Sequence, residues 1–264
     1  MKVRLIAMTD AVFEGELAGG VESAEQVCNY AAKTCTRKDA GDMLDRHYIG
    51  DKPCLLWEDV DLKPLKSAVA SGHESILEHA VYTFEVKGVS RALTHQLVRH
   101  RIASYSQQSQ RYVKMKDFEY IMPSSIKDNT DLLWEGSILD GLNNNTVEWE
   151  CKLLMDQIYR MYSRLIEVGI PEEDARYILP NATCTNIIVT MNARELLHFF
   201  SLRCCERAQW EIRALANRML RICKEVSPTI FANAGPTCVR EEVCRERRSC
   251  GRLSKSDMEA ANDP

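Results

Sequence analysis

No uninterrupted apolar run in the 264 residues reaches the roughly 20 that a membrane-spanning helix needs. A helical membrane protein is therefore excluded, and no membrane partner is expected. The opening MKVRLIAMTD carries a short apolar patch closed by an acid, less than the ~7–15 apolar residues of a secretion signal. It reads as a first strand, and the expected location is the cytoplasm. No internal repeat or low-complexity linker is visible, which favours one domain over several. A broad basic excess is lacking too. The net charge is -4, which argues against a general coat for nucleic-acid polymers. Cysteine pairs at the tight C-x2-4-C spacing of a structural zinc site are missing, although there are 11 cysteines. An odd, high count in a reducing compartment reads as free thiols that pack as small hydrophobes. Cys28 and Cys35 fall on one face of a candidate helix, Cys204 and Cys205 are adjacent, and Cys238, Cys244 and Cys250 recur in a polar tail. No metal is expected.

One local absence is the most informative. No acid occurs from Val86 to Lys116, a stretch that carries Lys87, Arg91, Arg99, Arg101, Arg111, Lys114 and Lys116 with His95 and His100. In an acidic chain this concentrates positive charge, as an anionic ligand requires. Its centre, RHRIASYSQQSQR from Arg99 to Arg111, supplies forked guanidinium donors for phosphate, with hydroxyls and amides able to read the rest of a nucleotide.

Hydrophobic content of 45% and charged content of 27% suit a globular chain with a sizeable core. Periodicity predicts strands over residues 1–9, 81–86, 112–122 and 182–191. It predicts helices over 23–36 (Val27, Tyr30 and Ala31 inward), 62–71, 147–168 and 207–225 (Trp210, Leu215, Met219 and Ile222 inward). Ser90 is placed to cap a helix running to about Arg101, Pro171 to open one, and Asn192 to cap one through about Leu202. Residues 128–145 read as a loop with a short helix. The fold class expected is α/β of the α+β kind, a single domain with a central β-sheet and flanking long helices. Its body would span 1–233, with 234–264 a polar C-terminal tail, partly ordered or disordered.

Two helices place polar groups on apolar faces. Val89, Ala92, Leu93 and Leu97 define an arc into which Gln96 and His100 fall, with Arg99 at its edge. A buried polar group without a partner costs about 1–3 kcal/mol, so three together suggest a lined cavity rather than isolated core residues. In the second helix Arg194, His198, Ser201 and Cys205 share a face, while Arg203 points among Leu196, Phe199 and Phe200. A guanidinium there is costly unless an anion or another chain meets it, or its stem packs while its head reaches solvent. GHESILEH, residues 72–79, does not bind zinc through an H-E-x-x-H pair, because its histidines are six apart. Arg176 four residues after Glu172 reads as a routine helix salt bridge.

Together these segments resemble one family, the flavin-dependent thymidylate synthases. The family pattern R-H-R-x-x-S-x-N-x-x-S-x-R is met in register by Arg99, His100, Arg101, Ser104, Ser109 and Arg111. Ser106 stands where Asn is usual, and Gln107 where Glu is frequent. GHESILEH, DARYILP, NARELLHFFSLR and ERAQWEIR are similar to the family's other blocks and follow in the same order.

The resemblance implies methylation of dUMP to dTMP with methylenetetrahydrofolate as carbon donor. The reductant would be FAD, itself reduced by NADPH, and tetrahydrofolate would be released. It implies a homotetramer with active sites shared between subunits. By position, FAD would be held by Ser75, Arg99, His100, Arg101, Gln107, Asn192, Ala193, Arg194 and His198, with His73 beside the flavin ring and the folate entry. dUMP would be held by Gln96, Arg99, Gln107, Gln108, Ser109, Gln110, Arg111, Arg176 and Arg203. Arg203 would be the catalytic residue, favouring ionisation of the uracil ring. Ser109 has no adjacent His–Asp pair to activate it and reads as a binding hydroxyl rather than a nucleophile. No cysteine lies in the motif to act as a thiolate. The competing readings are a nucleic-acid-binding module using the basic 87–116 stretch, which would need exposed aromatics for stacking, and a flavoprotein of other reductive chemistry on a nucleotide.

Overall fold

The computed structural model describes residues 1–13, 16–17, 23–36, 48–49, 52–53, 61–113, 119–129, 133–134 and 145–253. Helices are mixed with antiparallel sheet, the α+β form of the expected class. Strands β1 (Lys2–Met8), β2 (Val81–Ser90), β3 (Ala103–Gln107) and β4 (Cys184–Asn192) form one sheet in the order β1-β2-β4-β3. The principal helices are α1 (Ser23–Thr36), α2 (Lys63–Ala70), α3 (Arg91–Leu97), α4 (Val147–Glu167), α5 (Ala193–Arg203) and α6 (Trp210–Val226). The chain divides into two compact units. The first comprises Met1–Val86, Leu97–Tyr105 and Ile188–Pro264, the second Lys87–Gln96 and Ser106–Ile187.

The two long strands follow the period-2 rule. Tyr82, Phe84 and Val86 of β2 are buried, as are Thr185, Ile187, Val189 and Met191 of β4. In the first unit the core is aromatic. Phe200 stacks edge-on against Phe231 (6.0 Å) and beside Phe199 (5.7 Å), and Tyr82 meets Phe231 at 5.6 Å. Such edge contacts add stabilisation beyond the area they bury. The Tyr82 and Ser227 hydroxyls, both fully buried, share a 2.7 Å hydrogen bond. Tyr82→Phe strands the Ser227 hydroxyl, and a loss of about 1–2 kcal/mol is expected in urea unfolding, with the midpoint shifted and the slope unchanged.

The inward face of α1 differs from the one expected. Ala24, Cys28 and Ala32 are buried, whereas Tyr30 is exposed. Small side chains at four-residue spacing let α1 lie close to its neighbours, and two of its polar residues then serve their backbones. Asn29 Oδ1 accepts from Leu65 N–H (3.1 Å), in the first turn of α2, where the Leu62 cap has no side-chain acceptor to offer. Glu25 Oε1 accepts from Ile230 N–H at 2.9 Å. On α6 the inward set is Ile212, Leu215, Ala216, Met219 and Cys223; Trp210 is 39% exposed. The helix begins at Trp210 because the Gln209 side chain caps it, accepting from Glu211 and Ile212.

In the second unit Ser90 Oγ accepts from Leu93 N–H (3.0 Å) and opens α3, as its position predicted. The helix stops at Leu97 rather than near Arg101. His100 N–H donates to the Leu97 carbonyl, and the Tyr105 hydroxyl lies 2.8 Å from the carbonyls of both Leu97 and His100. Those carbonyls are satisfied without another helical turn. The strand expected at 112–122 is not formed by its described residues. Tyr112 and Val113 lie in a turn and Tyr120 makes only a single bridge to Thr183, while residues 114–118 lie outside the described residues. The strand is β3 instead, inside the basic motif. Most of the 128–145 loop also lies outside the described residues; Leu133–Trp134 pairs with Asn145–Thr146. α4 follows under a Thr146 cap. Beyond Gly235 a single helical turn, Thr237–Arg240, lies in the first unit.

Candidate active site

Asn192 caps α5 by accepting Glu195 N–H at 2.9 Å. A glutamate at this third helical position commonly reaches back to the cap. The Glu195 carboxylate, buried, instead accepts a hydrogen bond from His100 Nδ1–H at 3.1 Å. The His100 ring is 4% exposed and stands edge-on to Phe199 (5.0 Å) and His198 (5.8 Å). Its other nitrogen, Nε2, accepts from Arg203 Nε–H at 3.1 Å. Accepting at Nε2 requires a lone pair there, so the ring is neutral and its proton sits on Nδ1. Burial, with the Arg203 charge and His198 beside it, lowers the His100 pKa to about 4. Burial raises that of Glu195, against the pull of His198.

An imidazole held neutral in the folded chain but free to protonate near pH 6.5 when unfolded makes stability depend on pH. The unfolded chain binds the extra proton first, so stability is full above pH 6.5 and falls until the folded ring also protonates near pH 4. The loss attributable to His100 is about 3 kcal/mol. Glu195, whose folded carboxyl binds its proton more readily than the unfolded one, offsets part of it at the acid end. Urea unfolding between pH 7 and pH 4 should show this dependence, and His100→Gln should flatten it.

Arg203, half-buried at the end of α5, is met by a neutral imidazole. Its terminal Nη1 and Nη2 make no hydrogen bond among the described residues. Arg99 and Arg101 are exposed and have no ion-pair partner among the described residues. Arg194 is already met by acids, at 2.6 Å from Glu78 and 3.8 Å from Glu74, which raise its pKa. Glu74 also bonds Arg240. Ser75 and His73 are exposed beside these acids. Ala193 is fully buried, and its N–H donates to the Ala80 carbonyl at 2.8 Å.

The rest of the predicted nucleotide set lies in the second unit. Gln107 Nε2 donates to the hydroxyls of Thr94 (3.2 Å) and Thr185 (3.3 Å), which fixes its oxygen. Gln108 pairs with Asn186 through backbone and side chain. Ser109 Oγ accepts from Arg111 N–H. Gln110 is buried, and its Nε2 has no hydrogen-bond partner among the described residues, a cost that a ligand acceptor would remove. The Arg111 guanidinium bonds Glu173 Oε2 through Nε (3.1 Å) and Nη2 (2.8 Å), and it lies over the Tyr112 ring. Arg176 Nε donates to the Glu173 carbonyl at 3.0 Å. Gln96 is half-buried on α3.

Three residues of this arrangement escape a reading of the sequence. Glu195 looks like an ordinary helix-start acid, and Glu173 like one of an acidic run; only the fold sets each against its partner. Arg91 is visible in the basic stretch, but nothing there singles it out. Burial and the charge of Arg176 lower its pKa. No cluster of metal-ligating side chains occurs among the described residues, and ten cysteines there are free thiols. No helix among the described residues is long and apolar enough to cross a membrane. His100 at the centre of the basic stretch is buried and the exposed Arg111 is already paired with an acid, so the nucleic-acid reading is not favoured.

Residues 16–229 match the family described as "Thymidylate synthase complementing protein". A flavin-dependent thymidylate synthase from Geobacter sulfurreducens is 48% identical over 195 residues, 72% of this chain and 77% of the relative. One from Sulfurisphaera tokodaii is 46% identical over 229 residues, 86% and 79% of the two chains. One from Pyrococcus horikoshii is 49% identical over 197 residues, 72% and 74%. With the Arg99–Arg111 motif in register and relatives this similar along most of its length, the chain belongs to the flavin-dependent thymidylate synthases.

Proposed function

We propose that this enzyme converts dUMP to dTMP by reductive methylation, taking the carbon from methylenetetrahydrofolate and its reducing power from FAD reduced by NADPH, with release of tetrahydrofolate. The observation that carries the reading is Arg203: its Nε is anchored on His100, and its two terminal nitrogens make no hydrogen bond among the described residues. A fork held in this way suits a uracil carbonyl and ring nitrogen. Opposite charge there stabilises the anionic ring, raising electron density at the carbon to be alkylated.

The donor set fits the nucleotides. Gln110, Ser109 and Arg111 would take dUMP with Gln96, Arg99, Gln107, Gln108 and Arg176; the buried, unpartnered Gln110 amide supports this. Arg99 and Arg101, with no acid against them among the described residues, would meet the FAD diphosphate, and Ser75, His198 and Asn192 the rest. Three members fit less simply. His100 is buried with both ring nitrogens bonded, the Ala193 N–H is committed to Ala80, and Arg194 must leave Glu78 to reach an anion. His73 would sit at the folate entry. When bound, the flavin supplies the hydride that reduces the transferred carbon unit. The protein supplies position and preorganised charge.

A homotetramer in the cytoplasm, with sites shared between subunits, completes the proposal. An exposed apolar stripe supports it: Leu154 and Met161 on α4 and Val168 just beyond it recur every seven residues. Light scattering reads the assembly. The decisive assay is anaerobic, with FAD, NADPH, dUMP and methylenetetrahydrofolate. Thymidylate with tetrahydrofolate is the expected outcome; dihydrofolate, or no thymidylate from a flavin-loaded protein, would sink the reading.

A further inference from the structure

The Glu195 carboxylate lies buried on α5, and its one hydrogen bond among the described residues is to His100. We propose that Glu195 is a positioning residue for turnover: by accepting the Nδ1 proton of His100 it selects the tautomer whose Nε2 lone pair holds Arg203 Nε, and so aims the free edge of the Arg203 guanidinium. This rests on the assignment of Arg203 to the uracil ring.

The two hydrogen bonds stand or fall together. In the other tautomer, with the proton on Nε2, an N–H would face the Arg203 Nε–H at 3.1 Å, donor against donor. The bare Nδ1 would face the Glu195 carboxylate, acceptor against acceptor. A protonated ring would keep Glu195 and repel Arg203. Only the neutral Nδ1–H form satisfies both neighbours, and the ring has little room to turn away. Phe199 and His198 flank it, and the Tyr105 hydroxyl is spent on the backbone carbonyls of Leu97 and His100. Glu195, His198 and Arg203, all on α5, are the titratable and charged side chains that meet the ring. Whatever fixes the tautomer therefore fixes Arg203, and among these only Glu195 touches Nδ1. A purely structural role would be different: an acid at the third position of a capped helix would serve the helix start alone.

Two measurements test this. In histidine-selective ¹⁵N NMR of the full chain at pH 7, His100 should be neutral with its proton on Nδ1. An imidazolium, or a proton on Nε2, overturns the proposal. In steady-state assays Glu195→Leu should lower kcat by about ten- to thirtyfold with KM for dUMP within about threefold, because a misaimed fork costs more in the transition state than in binding. Glu195→Gln, whose amide oxygen still accepts the Nδ1 proton, should recover most of that loss. A folded Glu195→Leu with unchanged kcat, or equal losses in both variants, overturns it. Glu195→Asp keeps the charge but falls short by one methylene; it replaces the leucine variant if that fails to fold, and the same outcomes apply. A wild-type enzyme that makes no thymidylate would instead sink the functional reading, with the tautomer measurement still deciding the Glu195–His100–Arg203 geometry.

Discussion

Arg203→Ala is expected to lower kcat for thymidylate formation by about 10³-fold while the protein stays folded and yellow with bound flavin. The size follows from removing one preorganised charge at the place where negative charge develops, an effect of about 10²–10³-fold when a single such donor is deleted. The selectivity follows from position. Arg203 is half-buried at the last residue of α5, its one hydrogen bond among the described residues is the 3.1 Å contact to His100 Nε2, and the aromatic core beneath it is formed by Phe199, Phe200 and Phe231. Truncation leaves that core in place and opens space that water can fill beside Nε2. Arg203→Lys should restore little, since an ammonium carries the charge but neither the Nε donor that seats it on His100 nor the planar fork. Steady-state kinetics with the flavin absorbance of the same samples reads both effects. Wild-type-like methylation by Arg203→Ala would remove the residue from the chemistry.

How far the sequence discloses this site depends on the kind of signal. Covalent spacing is legible: the Arg99–Arg111 motif, the Asn192 cap and the Ser90 cap all sit where the residue order puts them, because each depends on neighbours within a few residues. His100 on the apolar arc of α3 is also legible as a buried polar group, although the helix ends three residues before it. What it pairs with is not. Glu195 lies 95 positions further along, and helical periodicity says nothing about which acid faces which histidine. The same limit explains β3. Ala103–Gln107 carries a single aromatic and no β-branched residue, so its propensity is weak; pairing within the sheet makes it a strand. The apolar 112–122 segment was the better candidate on propensity alone. On α1 Val27 and Tyr30 are the larger side chains, yet close approach to α2 and to the Glu74–His79 turn selects the small Ala24, Cys28 and Ala32.

Arg111→Ala should do the opposite of Arg203→Ala: KM for dUMP rises by about 100-fold and kcat at saturating nucleotide changes little. Arg111 is exposed, and both of its bonded nitrogens point to a single carboxylate oxygen, Glu173 Oε2. A solvent-exposed pair of this kind contributes little to stability, whereas a phosphate offers the same guanidinium shorter, charge-assisted contacts and a second negative charge. On the proposed binding, phosphate would displace the carboxylate, and the contact would be made equally in ground and transition states, so its loss should appear in KM and not in kcat. Glu173 is then a competitor. Glu173→Gln should lower KM by no more than about fivefold, and the salt dependence of KM, steep in the wild type, should flatten in Arg111→Ala. If Glu173→Gln instead raised KM as far as Arg111→Ala does, the carboxylate would be holding the arginine in place for the phosphate, and the Arg111–Glu173 pair would be part of the substrate site rather than its resting lock.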